Sequence, residues 1–345
     1  MSPKTATIGS GASATTIGKI GHGLMMMTWR AEDRPLADED AFEAIKAGVD
    51  AMPAGVKMLL NSGHFYGPNL GPANLQLLAR FYAKYPEYAD RTFISVKGGL
   101  KPGHMVPDSS AENLRAGVLD INVQLGGTKK MDLFECARVP PDVPLEDALA
   151  TLIALKNEGH FQHIGMSECS AATLRKAHAI TPISIVEIEV SLWSYEEETK
   201  KVIATAKELG IVVAAYSPLG RGFLTGTITS PADLSEKDMR RMLTRFQEAE
   251  LAHNTALVDA AKALAARKGV TPAQLALAWV SSLGDHVVPI PGSSVKTRNL
   301  ENLAAADITL TAAELTEIGQ ILASTPVQGG RYVDHLPAQV LNLWG

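Results

Sequence analysis

Tyr66 and Lys97 each follow a short apolar run, and together they make a candidate acid–base pair. A free tyrosine ionises near pH ~10, too weakly acidic to work well near neutrality. A neighbouring ammonium favours the phenolate and lowers that value. Such a pair can donate a proton to a carbonyl oxygen as hydride reaches the carbon. A second group suits phosphate: Ser217–Gly226 (SPLGRGFLTG) and Ile290–Asn302 (IPGSSVKTRNLEN). Gly292, Ser293 and Ser294 stand before a helical pattern, where backbone N–H groups and the helix dipole favour an anion. Lys296 and Arg298 add positive charge in the first turns. Gly220, Gly222 and Gly226 are not the dinucleotide fingerprint of open sheets, because the last glycine comes one residue late and no helical pattern follows. His160 and His163 fall at a helix end and the next strand's start, so no metal is expected there. Cys136 and Cys169 read as small buried hydrophobes. Arg240, Arg241 and Arg245 read as one solvated helix face, and Trp29 as either core or pocket wall.

These residues need a scaffold that gathers many chain segments. Short apolar or β-branched runs occur at Lys19–Met25, Met58–Asn61, Thr92–Lys97, Met131–Cys136, His163–Ser167, Ile185–Ile188, Ile211–Tyr216 and His286–Ile290. Longer amphipathic stretches separate them. Helix starts are marked by Asp38, Ser109 or Ser110, Pro144, Ser170, Tyr195 and Thr271-Pro272, with a further helix over Thr311–Leu322. Eight strands alternating with helices imply parallel pairing, in a closed barrel or an open sheet. The polar residues decide between the two. Asn61, Tyr66, Lys97, Ser167, Glu168, Glu187, Ser217 and Ser293 stand where different strands end. A barrel builds its site from many strand ends, whereas an open sheet uses one switch point. The expected architecture is a single α/β domain over residues 1–345, a (β/α)8 barrel. It carries a long loop over 220–250, after the seventh strand, and a C-terminal tail.

Composition excludes other classes. The 345 residues are 46% hydrophobic and 20% charged, with 32 Lys+Arg against 37 Asp+Glu and a net charge of -5. Such a chain can bury a sizeable core and lacks the clustered cations that nucleic acid needs. No apolar run approaches the ~20 residues that cross a bilayer, and no targeting pattern opens the chain. Two cysteines fit a reducing compartment. The expectation is a cytoplasmic or nuclear protein with no nucleic-acid, membrane or metal partner.

The chain resembles the aldo-keto reductases over nearly its whole length. The resemblance rests on FYGPN around Tyr66, FISVKGG around Lys97, DLFECARV, HIGMSE, YSPLGRGFLTG, and IPGS followed by Arg298 and Glu301-Asn302. TWR, LFECARV and VEIEVSLW are similar to the fungal pyridoxal reductase-like branch. The resemblance implies a barrel that reduces a small-molecule carbonyl with NADPH, pyridoxal to pyridoxine being the leading reaction. It implies Tyr66 as general acid and Lys97 as the group that tunes it. Ser167 and Glu187 would hold the nicotinamide carboxamide, and Tyr216 would stack on the ring. Ser217, Leu219, Gly220 and Arg221 would bind the pyrophosphate. Ser293 and Arg298, with Lys296, would meet the 2′-phosphate, and Glu301 and Asn302 the adenine. The two cations favour NADPH over NADH.

The sequence departs from the family's Asp-Tyr-Lys-His tetrad. Asn61 stands in the Asp place and Ala137 in the His place, while Glu187 replaces a usual Gln and Glu168 a usual Asn. These departures imply that Lys97 lacks its carboxylate. They also imply a roomier, more acidic pocket in which Trp29, Glu135, Glu168 or Glu187 meet the substrate. His64 would take over part of the lost histidine's role. The altered tetrad leaves two other readings: an NADPH-binding sensor or regulatory subunit with little turnover, and a Schiff base on Lys97. The latter has no need of dinucleotide-binding loops.

Overall fold

The structure, a computed structural model, describes residues 4–30, 35–333 and 341–345. It begins with an antiparallel hairpin, β1 (Thr5–Ile8) and β2 (Thr15–Gly18). Eight strands follow, each parallel to the next: β3 (His22–Gly23), β4 (Met58–Gly63), β5 (Thr92–Gly98), β6 (Leu133–Cys136), β7 (His163–Ser167), β8 (Ile183–Glu189), β9 (Val212–Tyr216) and β10 (Val287–Pro289). The Gly21 N–H donates to the Pro289 carbonyl at 2.9 Å and the Gly23 N–H to the Pro291 carbonyl at 3.0 Å, which returns the last strand to the first. A β-carbon at Gly23 would lie 2.8 Å from the Ile290 carbonyl oxygen, so the seam closes only around glycine.

Helices α1 (Met25–Thr28), α2 (Asp38–Asp50), α3 (Ala73–Lys84), α4 (Ala111–Gln124), α5 (Leu145–Asn157), α6 (Ala171–Ile180), α7 (Glu197–Leu209), α8 (Glu248–Lys268), α9 (Pro272–Ser282), α10 (Lys296–Ala304) and α11 (Ala312–Ser324) complete the chain order. The expected start signals do their work. Ser110 and Ser170 accept hydrogen bonds from the N–H groups of Asn113 and Thr173, while Thr271 with Gln274 and Thr311 with Glu314 form capping boxes.

Side chains alternate across each strand, so one set fills the barrel and the other meets the helices. Leu59, Phe93, Leu133, Ile185, Val212, Ala214 and Val288 pack together inside, sealed by Ala6, Ile8 and Ile17 of the hairpin. Leu60, Ile94, Phe134, Ile164, Val186 and Val213 join the larger outer core. The lower barrel is therefore a plug, and anything reactive must sit above it.

The structure departs from the sequence reading in three places. Of the expected strand Lys19–Met25 only His22–Gly23 pairs, because Met25 already enters the single turn of α1. The hairpin has no counterpart among the expected elements. The 220–250 segment forms four short 3-10 turns before α8 rather than a solvated helix. There Arg245 is buried, its guanidinium donating to the Trp193 carbonyl (2.6 Å) and the Ser194 hydroxyl (2.7 Å). Among the described residues no helix is long and apolar enough to cross a membrane. The C-terminal tail falls partly outside the described residues.

Candidate active site

The inward positions above the plug are polar. Counting by two from Leu59, Phe93, Leu133 and Ile185 reaches Asn61, Lys97, Glu135 and Glu187, all buried. Parallel register sets Lys97 directly opposite Glu135. The Lys97 ammonium forms an ion pair with one oxygen of Glu187. The Asn61 amide donates to the other oxygen at 2.6 Å. Glu135 approaches Lys97 only to 3.8 Å. Burial alone would lower the Lys97 pKa, but Glu187, Tyr66 and Glu135 raise it above the ordinary lysine value. Burial alone would raise Glu187, and Lys97 pulls it below the usual carboxylate range. Glu135 is pushed well above that range, by burial and then by the Glu187 charge. The site thus carries one cation, one anion and one neutral acid. The expectation that Asn61 leaves Lys97 without a carboxylate is corrected, because Glu187 provides it from across the barrel. Glu187 is thereby engaged within the protein.

Tyr66 lies on the loop after β4. The Thr28 hydroxyl donates to the Tyr66 carbonyl at 2.6 Å and itself accepts from the Asn74 amide at 2.8 Å. The ring lies flat on Gly63, where a β-carbon would come within 2.8 Å of it. Phe65, Trp29 and Ala137 pack against it, with the Trp29 and Tyr66 ring centroids 6.0 Å apart. Trp29 packs beside Tyr66, and the small Ala137 leaves that contact apolar. The Tyr66 hydroxyl is pushed up to about 12, because burial and the Glu187 and Glu135 charges outweigh the downward pull of Lys97. The expected direction of the lysine's effect holds, whereas the expected net lowering does not.

On the other side of the mouth, Tyr216 ends β9, and its hydroxyl pairs with that of Tyr332 at 2.9 Å. Ser217, Gly220, Arg221 and Gly222 all have positive φ, in a tight loop whose Gly220 and Gly222 N–H groups donate to the Ser217 and Leu219 carbonyls. Leu219 packs against the core beside them. The Ser167 hydroxyl and both polar side-chain atoms of Asn302 are buried without a hydrogen-bond partner. Buried polar atoms are normally paired, so these orphans fit a bound dinucleotide. Ser293 is buried and turns its hydroxyl to the Val295 N–H (3.1 Å). Lys296 is paired with Glu43 at 2.8 Å, Arg298 is exposed, and Glu301 accepts from the Thr271 hydroxyl at 2.7 Å.

Several expectations fail. The His64 ring contacts Asp120 on α4 at 2.7 Å, outside the barrel wall, and so does not replace a histidine beside Tyr66. Glu135 is fully buried beneath the mouth rather than lining it. Glu168, expected to meet the substrate, is tied to Arg331 at 2.7 Å. Arg331 also reaches Glu189 (3.1 Å) and the Tyr216 hydroxyl (3.2 Å), so the tail closes over the strand ends. Arg331, Tyr332 and Glu189 were not among the expected site residues. The only trace in the sequence is the Gly-Gly-Arg-Tyr stretch, which carries no sign of where it docks.

The geometry has counterparts among known proteins. The family model described as "Aldo/keto reductase family" matches residues 19–323. A Schizosaccharomyces pombe protein named "Probable pyridoxal reductase 2" is 35% identical over 321 residues, 92% of this chain and 95% of that protein. A Saccharomyces cerevisiae protein named "Putative pyridoxal reductase" is 34% identical over 336 residues, covering 90% and 95%. The solved glycerol dehydrogenase of Gluconobacter oxydans shares the fold, with TM-score 0.78 and 21% identity over 96% of this chain and 98% of that one. With a barrel closed on Gly23 and a polar layer of Lys97, Glu187 and Tyr66 at its mouth, the chain belongs to the aldo/keto reductase family of oxidoreductases.

Proposed function

We propose that the protein is an NADPH-dependent carbonyl reductase, with pyridoxal as leading substrate and Tyr66 as the proton donor. The observation that carries this reading is Tyr66 packed with Phe65, Trp29 and Ala137 within reach of the Lys97 charge, together with buried polar atoms that lack partners at Ser167 and Asn302. Ser167, Tyr216, the Ser217–Arg221 loop, Ser293, Arg298 and Asn302 would hold the dinucleotide, which supplies hydride when bound. Lys296 and Glu301 join that set once released from Glu43 and Thr271. With its pKa near 12, Tyr66 keeps its proton at neutral pH. It gives that proton to an oxygen that becomes a stronger base than phenolate as hydride reaches the carbon. The Lys97 ammonium then stabilises the phenolate. Pyridoxal is suggested by the names of the two yeast relatives.

The sensor reading loses one of its two supports, because Glu187 restores the anion that Asn61 lacks, while Ala137 still stands in the histidine place. The Schiff-base reading needs a free amine, and Glu187 holds Lys97 as ammonium. The test is NADPH oxidation with pyridoxal and a panel of other carbonyls, alongside NADPH binding followed by fluorescence. Tyr66→Phe should lower turnover by about 10²-fold or more with binding unchanged. Undiminished turnover in that variant refutes the mechanism.

A further inference from the structure

Glu135 is the one member of the polar layer with no evident task. It is wholly buried, stands in register with Lys97 and faces the Glu187 carboxylate, and no donor is paired to either of its oxygens. Its neighbour on the next strand is Gly165, where a β-carbon would come within 3.0 Å of one Glu135 oxygen, so the missing side chain makes its room. A bare carboxylate in such a place would lack every solvating donor, a costly state. The Lys97 charge is already met by Glu187. A neutral acid is the state that fits, and the electrostatics of the layer agree.

We infer that Glu135 is the terminal acid of a three-member proton relay, Glu135 to Lys97 to Tyr66, that drives protonation of the substrate oxygen. The inference rests on the reduction proposed above. As hydride attacks the carbonyl carbon, Tyr66 gives its hydroxyl proton to the oxygen. Lys97, whose charge acts on the Tyr66 hydroxyl, passes a proton to the phenolate, and Glu135 passes one to Lys97. Lys97 ends as it began, an ammonium. Glu135 ends as a carboxylate facing that ammonium, and one solvent proton restores it after the alcohol leaves. The 3.8 Å separation of Glu135 and Lys97 must close by about 1 Å to reach hydrogen-bonding distance, which a small torsional change achieves. The gain is chemical: the phenolate left on Tyr66 is reprotonated inside the barrel, and the negative charge ends on a carboxylate facing the Lys97 ammonium. Glu187, the other carboxyl paired with Lys97, cannot do this, because it is already ionised.

The experiment combines single-turnover NADPH oxidation in mixed H2O and D2O with infrared spectroscopy of the protein. In the wild type the rate should depend on deuterium fraction along a curve, since more than one proton is in flight. Glu135→Gln should slow the single turnover by about 10- to 100-fold, leave NADPH affinity unchanged, and turn the curve into a straight line. The protonated-carboxyl stretch of the wild type should vanish in the same variant. Glu135→Asp, which keeps the acid at shorter reach, should restore part of the rate and the curvature, and serves if the Gln variant folds poorly. An unchanged rate, or a slower rate that keeps its curvature, overturns the relay. Absence of the infrared band overturns it without any turnover measurement. If the wild type oxidises no NADPH with any carbonyl while the band is present, the proposed reduction fails instead.

Discussion

Removing the Glu187 carboxylate by Glu187→Gln separates Lys97 from its contacting anion inside a barrel that water does not reach. Stripping a buried ion of its partner costs about 3–5 kcal/mol. The full cost should not appear, because a second carboxyl stands in register with Lys97 at 3.8 Å. With the Glu187 charge gone, Glu135 loses the repulsion that keeps it neutral and ionises to replace it. The single variant should therefore lose about 1–2 kcal/mol. Glu135→Gln exchanges a neutral acid for a neutral amide of similar size and should lose less than about 1 kcal/mol. Only the double variant leaves Lys97 alone, and it should lose about 3–5 kcal/mol. For 345 residues the unfolding entropy is about 0.7 kcal/mol/K. The expected drops in Tm are about 1–3 °C for Glu187→Gln and about 4–7 °C for the pair. Calorimetry and urea unfolding of the four proteins close the cycle. Additivity of the single variants within about 0.5 kcal/mol would refute the idea that Glu135 stands in reserve.

Three further outcomes follow from the geometry. Burial holds His22 near 4, below its ordinary value, while its ring hydrogen-bonds the Ser293 carbonyl at 2.7 Å. The unfolded chain takes up a proton below pH ~6.5 that the folded state refuses, so stability is complete above that pH and falls toward pH 4. His22→Asn should remove about 3 kcal/mol of that pH dependence in urea titrations between pH 4.5 and 8, and an unchanged slope would show that His22 is not the titrating group. Arg331→Ala leaves Glu168 and Glu189 buried without their cation, and should lower Tm by about 4–7 °C and speed proteolysis of the tail. His64→Ala should leave kcat within about twofold, since the ring serves Asp120 and not Tyr66; a large loss would restore His64 to the site.

Much of the barrel was legible because most strands open on an apolar run and are followed by a marked helix start. Met58–Gly63, Thr92–Gly98 and His163–Ser167 lie within two residues of the expected runs. The β1–β2 hairpin was harder to see, since its strands have four residues each and only Ala6, Ile8 and Ile17 reach the core. The positions of Tyr66 and Lys97 at strand ends could be read from the chain, and so could the departures at Asn61 and Ala137. Which groups meet could not. Lys97 and Glu187 are 90 residues apart, and their pairing is set by how far around the barrel each strand sits. A usable signal did exist: counting by two upward from the apolar plug places both side chains inward. The same count keeps Glu135 inside the barrel. For the tail no such count exists, because Arg331 follows no strand and its docking depends on Glu168 and Glu189 having arrived first.

That pairing alters what the substitutions mean. Taken singly, Asn61 reads as the loss of a carboxylate and Glu187 as the misplacement of one. In the folded barrel they are two halves of one arrangement: the amide of Asn61 donates to one oxygen of Glu187 while the other meets Lys97. A buried ammonium requires one anion within contact, and the field it feels does not depend on which strand carries that anion. The barrel interior is narrow enough that a side chain on β8 reaches the Lys97 nitrogen on β5. Moving the charge has a further effect, because it brings the anion beside Glu135 and forces that acid to stay neutral. Had the carboxylate stayed at position 61, the acid on β6 would have had less reason to keep its proton. The exchange at 61 and 187 and the protonated acid at 135 are thus one electrostatic solution, and a change at any of the three positions must be judged against the other two.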